Sequence, residues 1–302
     1  IDASPERLAF TSGTTESINT VARGFDFDRV IVSEKDHNSN HEIWESLGCE
    51  KIVVEKPEPS LIEDEIREND LVSFYHTSNI DGETVNAEKI CRIARENDAY
   101  SLVDAAQSIP HRPFSVDRIR PDFVAFSGHK MLGPTGTGAL YASDRVIDQL
   151  SPLKYGGGAV QKLGVEIERK EFPQGFEPGL KNIAGFIGFG AAADYLENIG
   201  MEKVHSHEKK LTERMTQGLD EIGVKYLCEG PGIVSIVPEM PHGELAKLLD
   251  RRGFKLRSGQ HCLHRWFSGR EFDGTVRASM YLYNNMEEIE SFLKEMRRLS
   301  KL

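Results

Sequence analysis

Lys130 closes the segment Phe126-Ser127-Gly128-His129-Lys130, behind the apolar run Phe123-Val124-Ala125-Phe126 and ahead of the glycine-rich stretch 131–138. An amine placed where a buried strand opens into a loop can be desolvated and made nucleophilic. Asp104 closes a second apolar run, Tyr100-Ser101-Leu102-Val103-Asp104. A Schiff-base lysine and a carboxylate set against a pyridinium nitrogen are what pyridoxal phosphate (PLP) chemistry requires of a protein. Neither residue says much alone; the pair, in this order, points to that cofactor.

Other residues fit the same chemistry. Thr11-Ser12-Gly13-Thr14-Thr15-Glu16 lies between a short strand and an amphipathic helix. Glycine and hydroxyls at a helix N-terminus make a phosphate site, although Thr14 or Thr15 would serve equally as a plain N-cap. Asp36-His37-Asn38-Ser39-Asn40 follows a strand; His37 could stack on a flat ring, and Asn40 could cap the next helix. Asn79, in Thr77-Ser78-Asn79, and Gln107 also fall at strand ends. Lys255, Arg257, His261, His264 and Arg265 gather around Cys262. Positive neighbours favour a thiolate, and Gly259 gives the loop freedom to carry it. A metal site from His261, Cys262 and His264 lacks a fourth ligand at any usual spacing. Arg277 interrupts a β run, where it is either an ordinary edge-strand arginine or a bidentate holder of a substrate carboxylate.

The elements that must position these residues alternate. Runs at 29–33, 51–54, 71–75 and 100–103 read as strands, and 14–23, 40–47 and 87–97 as helices with i, i+3, i+4 apolar spacing, as at Ile18, Val21 and Ala22. Such alternation implies a mainly parallel central sheet with helices on both faces, and ligands beyond the carboxyl ends of its strands. Residues 151–181 read as a long Gly- and Pro-rich loop or linker. Helices at 183–198 and 201–222 follow. Then come strands at 232–237, 255–257 and 275–279 and helices at 241–252 and 285–299, a smaller C-terminal α/β domain. The expected division is a large cofactor-binding domain, 1–181, and a second part, 182–302, with the linking helix and the Cys262 loop.

Composition is that of an ordinary globular chain, 39% hydrophobic and 28% charged over 302 residues. The net charge of −11 speaks against nucleic acid or an anionic membrane as a partner. The longest nearly apolar run, 183–193, is about half of a membrane span. Cys49, Cys91, Cys228 and Cys262 are scattered without a C-x-x-C pair, which fits a reducing cytoplasm better than a disulfide framework. The chain opens at Ile1 with no signal-peptide pattern, so the start reads as trimmed.

Thr14-Thr15-Glu16, Leu102-Val103-Asp104-Ala105-Ala106-Gln107, the Phe126–Pro134 segment and Arg257-Ser258-Gly259-Gln260-His261-Cys262 together resemble the class V, fold type I PLP enzymes. Within that class the chain is similar to the cysteine desulfurases of the SufS/Csd type, over essentially its whole length. The resemblance implies a homodimeric PLP enzyme that converts L-cysteine to L-alanine. A persulfide on Cys262 would then pass to an acceptor protein or scaffold, for iron–sulfur cluster assembly or another use. It implies that Lys130 holds the cofactor and moves a proton at the substrate Cα, that Asp104 keeps the ring nitrogen protonated, and that His37 stacks on the ring. Gln107 would bond the phenolic oxygen, and Thr15, Ser127 and His129 the phosphate, with Thr14 nearby. Asn79 and Arg277 would orient the substrate, with Arg257 beside the cysteine. The alternatives are another class V enzyme (selenocysteine lyase, epimerase or transaminase) and a non-catalytic scaffold. Three features depart from the family pattern: the short segment before Thr14, Leu180 in place of a threonine expected to reach the partner subunit's phosphate, and Leu263-His264-Arg265-Trp266 after the cysteine.

Overall fold

The computed structural model describes residues 1–164 and 167–299. The chain forms two compact units, Ile1–His76 with Val85–Asn198, and Thr77–Thr84 with Ile199–Leu302.

The first unit runs β1 (Leu8–Thr11), α1 (Thr14–Gly24), β2 (Arg29–Ser33), α2 (Glu42–Leu47), β3 (Glu50–Val54), α3 (Pro59–Glu65), β4 (Leu71–Tyr75), α4 (Ala87–Glu96), β5 (Tyr100–Asp104), α5 (Val116–Ile119), β6 (Phe123–Ser127), β7 (Gly138–Ala142), β8 (Val160–Leu163), β9 (Ile167–Arg169) and α6 (Ile183–Ile199). Seven strands share one sheet in the order β1-β7-β6-β5-β4-β2-β3. Strands β2 to β6 are parallel, as the alternation predicts, while β7 and β1 close the edge antiparallel. The strands β2, β4, β6 and β7 are buried at every position, and so read as continuous apolar runs rather than alternating ones. Helix α1 turns Ile18, Val21 and Ala22 onto Phe25, Leu102 and Phe123, the centre of the unit's core. Asn86 caps α4 by accepting the Lys89 N–H at 3.0 Å. At the amino ends of β2 and β4, Arg29 makes a bidentate pair with buried Asp70, at 3.0 and 2.6 Å, which neutralises the charge it buries.

The second unit holds α7 (Met201–Ile222), β10 (Tyr226–Leu227), β11 (Ile233–Ile236), α8 (His242–Asp250), β12 (Arg257–Gly259), α9 (His264–Phe267), β13 (Thr275–Ser279) and α10 (Met286–Leu299). Its antiparallel sheet runs β10-β11-β13-β12. Leu211, Met215 and Leu219 of α7 meet Phe292, Leu293 and Met296 of α10 over this sheet, giving the unit its own core. Helix α7 stops at Gly223, whose left-handed φ of 77° a glycine adopts without strain.

Several elements differ from the sequence reading. The 151–181 stretch, expected as loop, contains the β8–β9 hairpin. Strand β7 and helices α3, α5 and α9 were not foreseen, and the strand expected at 255–257 lies at Arg257–Gly259. Asn40 does not cap α2. It is buried, donates to the Ser73 carbonyl at 3.1 Å and accepts from Trp44 Nε1, also at 3.1 Å. Helix α6 belongs to the first unit, not to the second part, because Phe186 stacks on Phe10 at 4.1 Å and Phe189 meets the Phe126 ring. Residues 77–84 belong to the second unit.

Gly138 admits no side chain: an added Cβ would lie 2.5 Å from the Phe126 carbonyl oxygen and 2.6 Å from Gly13 Cα. Gly138→Ala is therefore expected to destabilise the fold by about 1–3 kcal/mol, the usual cost of overpacking, read from the urea unfolding midpoint.

Candidate active site

The carboxyl ends of β4, β5 and β6 stand in register, Tyr75 beside Asp104 and Asp104 beside Ala125. Asp104 is buried there, and its Oδ1 accepts the Ala106 N–H at 2.9 Å, which fixes the carboxylate. Gln107 is half-buried in the turn that follows. Beyond β6 the chain tightens into a 3-10 turn, Gly128–Met131, that carries an exposed His129 and a half-buried Lys130. Two bonds pin this turn, Gly128 N–H to Thr137 O at 2.8 Å and Gly133 N–H to Gly128 O at 2.9 Å. Leu132 ends it at φ 64°, a conformation that non-glycine residues adopt at a cost. Partial desolvation of the His129 ring, with the Lys130 charge beside it, lowers its pKa.

The hydroxyls join the same end of the sheet. Ser127 Oγ accepts the Thr14 N–H at 2.9 Å and lies 2.8 Å from Thr14 Oγ1. Thr15 Oγ1 is 2.9 Å from Ser39 Oγ, which is 3.1 Å from His37 Nδ1. The helix starts at Gly13, with φ 149° and no side-chain cap, so neither threonine acts as the N-cap. The hydroxyls are left facing the end of α1, where first-turn N–H groups have no acceptor inside the helix. Thr14, Thr15, Ser127 and His37 thus form two linked sets of donors around a helix N-terminus, one strand away from Asp104. This donor set fits PLP: a dianion at the helix end, a carboxylate for the ring nitrogen, and Lys130 in the adjoining turn. Ser39, not singled out as a candidate from the sequence, joins this set through its bonds to Thr15 and His37; its place two residues after His37 was the available signal.

In the second unit the cysteine turn has its own support. His261 and Cys262 are consecutive residues with φ of 51° and 63°. Such non-glycine left-handed residues cost of order 1 kcal/mol or more each and persist only where their surroundings hold them. Three ties do so. Asn79 Nδ2 donates to the His261 carbonyl at 2.9 Å, His261 Nε2 lies 2.9 Å from Thr275 Oγ1, and the Leu263 N–H closes the turn on Gln260 O at 2.8 Å. Leu263 is anchored with Ile80, Trp266 and Phe267 in a small apolar cluster. Asn79, expected to meet substrate, therefore commits its amide nitrogen to the cysteine turn. Arg257 donates to Cys262 Sγ at 3.3 Å.

Arg277 does not lie on an edge: β13 runs between β11 and β12, with Arg277 directly opposite Arg257. Its Nη1 donates to the Asn79 carbonyl at 2.7 Å, while its buried Nε has no partner. Burial, reinforced by the Arg257 charge, lowers its pKa to about 10. Two facing guanidiniums, one with an unused buried N–H, make a receptor for a carboxylate. Among the described residues, no group of three or more His, Cys, Asp or Glu side chains is placed to hold a metal ion.

A family model, Aminotransferase class-V, matches residues 1–292. A probable cysteine desulfurase of Methanothermobacter thermautotrophicus is 41% identical over 96% of this chain and 78% of its own. One from Pyrococcus abyssi is 36% identical over the whole chain and 80% of its own. The apo structure of a cysteine desulfurase from Thermococcus onnurineus superposes with a TM-score of 0.94, at 34% identity, over 99% of this chain and 80% of that one. The chain belongs to the class-V aminotransferase family, whose cofactor is PLP. Two of these relatives are named probable cysteine desulfurases and the third a cysteine desulfurase, and the likeness to that solved structure agrees with the α/β, fold type I reading of the sequence.

Burial, then the Arg277 and Arg257 charges, lowers the His261 pKa to about 3. A histidine held neutral in the fold stabilises it above the unfolded pKa of about 6.5, and that stability is lost as pH falls toward the folded value. Urea unfolding of the wild type between about pH 7 and pH 4 should lose stability by up to about 1.4 kcal/mol per pH unit from this group. His261→Asn should show a correspondingly shallower slope; an unchanged slope would mean that His261 is not held neutral.

Proposed function

We propose that the protein is a PLP-dependent cysteine desulfurase that converts L-cysteine to L-alanine and leaves the sulfur on Cys262 as a persulfide. The observation that carries this reading is the conjunction, in one chain, of Lys130 and Asp104 with a cysteine held in a strained turn beside guanidiniums that have no carboxylate partner among the described residues. Cysteine desulfurases that are more than a third identical to the chain support it.

In this reading Thr14, Thr15, Ser127 and His129 hold the phosphate, Asp104 faces the ring nitrogen, His37 covers the ring and Gln107 meets its oxygen. Bound there, PLP supplies an electron sink. Lys130 carries the cofactor and moves the proton at the substrate Cα. Arg277, with Arg257 opposite, takes the substrate carboxylate, and Asn79 positions both the cysteine turn and the arginine. The Cys262 thiolate attacks the substrate sulfur. The Cβ–S bond breaks, an S–S bond forms, and a proton to Cβ completes alanine.

The sulfur then goes to a thiol-bearing acceptor protein or scaffold, which fits supply to iron–sulfur cluster assembly. The protein acts as a homodimer in this proposal. Helix α6 is apolar all round over residues 183–193 yet leaves Ile183 and Ile187 exposed, next to a Leu180 that is 95% exposed, and such a face calls for cover. Four free cysteines support a reducing, cytoplasmic setting. No helix among the described residues is long and apolar enough to cross a membrane.

Alanine formation from L-cysteine tests the reading. Lys130→Ala should lower the rate about a thousandfold or more and abolish the visible absorption of the lysine-linked cofactor. Cys262→Ala should keep that absorption and lose turnover; full turnover in Cys262→Ala with a physiological reductant would remove the persulfide step. Ile187→Glu should sediment as a monomer if α6 joins two copies, and a wild type that is itself monomeric would refute the dimer.

A further inference from the structure

Residues 251–270 contain Arg251, Arg252, Lys255, Arg257, Arg265 and Arg270 and no Asp or Glu, in a chain of net charge −11. Arg252 pairs with Glu295 at 2.8 Å and Lys255 with Asp250 at 2.5 Å. Arg257, Arg265 and Arg270 are exposed and have no carboxylate partner among the described residues. Arg257 touches the cysteine turn, and Arg265 and Arg270 stand on the segment that leaves it. Arg257 donates to Cys262 Sγ, and Arg265 stands in the short helix α9 that begins two residues after Cys262. Arg270 lies over the Trp266 ring at 3.7 Å, and its Nε donates to the Trp266 carbonyl at 3.0 Å. Trp266 is itself buried with Ile80, Leu263 and Phe267, so the Arg270 charge is held in place. Glu271 and Asp273 follow the stretch, and Asp273 stands 4.0 Å from His242 Nε2.

Exposed positive charge gathered in one short segment of an acidic protein acts on encounter. The chain as a whole repels an acidic partner, and this patch reverses the sign where the sulfur must leave. We propose that Arg257, Arg265 and Arg270 form the docking surface for an acidic, cysteine-bearing polypeptide that accepts the sulfur, an inference that rests on the persulfide reading of Cys262. The acceptor thiolate attacks the outer sulfur of the Cys262 persulfide, a new S–S bond forms on the acceptor, and the bond to Cys262 Sγ breaks. Cys262 leaves as a thiolate to which Arg257 already donates, and no external oxidant or reductant is consumed.

The test loads the holoenzyme with L-cysteine, removes the excess and measures alanine. It then follows loss of the Cys262 persulfide to three cysteine peptides of equal length, flanked by Asp/Glu, Ser or Lys. With rates normalised to thiolate fraction, the acidic peptide should discharge the enzyme about tenfold faster than the basic one at about 0.05 M salt, and the ratio should approach one near 0.5 M. Arg265→Glu should abolish the preference and Arg265→Gln halve its logarithm, with alanine formed during loading unchanged; Arg270→Glu gives a second, independent loss. Equal rates for the three peptides, or a preference that survives both charge reversals, would overturn the docking surface. So would a single-stranded oligonucleotide that binds more tightly than the acidic peptide. A wild type that forms alanine but no persulfide would overturn the underlying reading of Cys262 together with the proposal, and the loading step reports that separately.

Discussion

Two backbones touch where Gly13 and Gly138 meet, and the catalytic end of the first unit depends on that contact. With no side chain at either position, β1 and β7 run antiparallel beside β6 and bring the start of α1 against Ser127. From this approach follow the Thr14–Ser127 bonds, the Thr15–Ser39–His37 chain and the placement of the helix end one strand from Asp104. The same edge carries Thr137, whose carbonyl pins Gly128 and so the turn that carries Lys130. A side chain at Gly138 would separate these parts before it touched any reactive group.

In the proposed function the second unit has a different task, which is to present a thiol. Its sheet places Arg257 against Arg277, two like charges that no carboxylate of the described residues neutralises. The burial of Arg277 and the charge of Arg257 beside it both favour an anion at this place, as a carboxylate or a thiolate would supply. The left-handed pair His261–Cys262 is strained in the same spirit, held by Asn79, Thr275 and the buried Leu263. The cofactor cradle and the cysteine turn are thus each built within one unit, from that unit's own core.

Much of this was legible in the residues. The parallel strands announce themselves as continuous apolar runs, and their ends name Asp104 and Lys130 without reference to tertiary structure. Strand β7 was hidden because its first residue, Gly138, ends a glycine-rich stretch that reads as turn, and its glycine is needed for packing rather than for turning. The β8–β9 hairpin was hidden in the same way by Gly156-Gly157-Gly158 and Pro173. Asn40 has the composition of a cap, but buried Trp44 and Ser73 claim its amide. Arg277 was read as either an edge-strand arginine or a carboxylate holder, and its internal position on β13 depends on strand order, which no local pattern encodes. Asn79 shows the limit most clearly: its bonds to His261 and Arg277 span a sequence separation that spacing arguments do not reach.

The central claim is that substrate handled at Lys130 gives its sulfur to Cys262. A single turnover of the holoenzyme with L-cysteine, followed by alanine determination and mass analysis of the peptide containing Cys262, tests it directly. The account predicts one sulfur added to Cys262 for each alanine released, with neither product formed by Lys130→Ala. Alanine released at the full rate with Cys262 unmodified would contradict it.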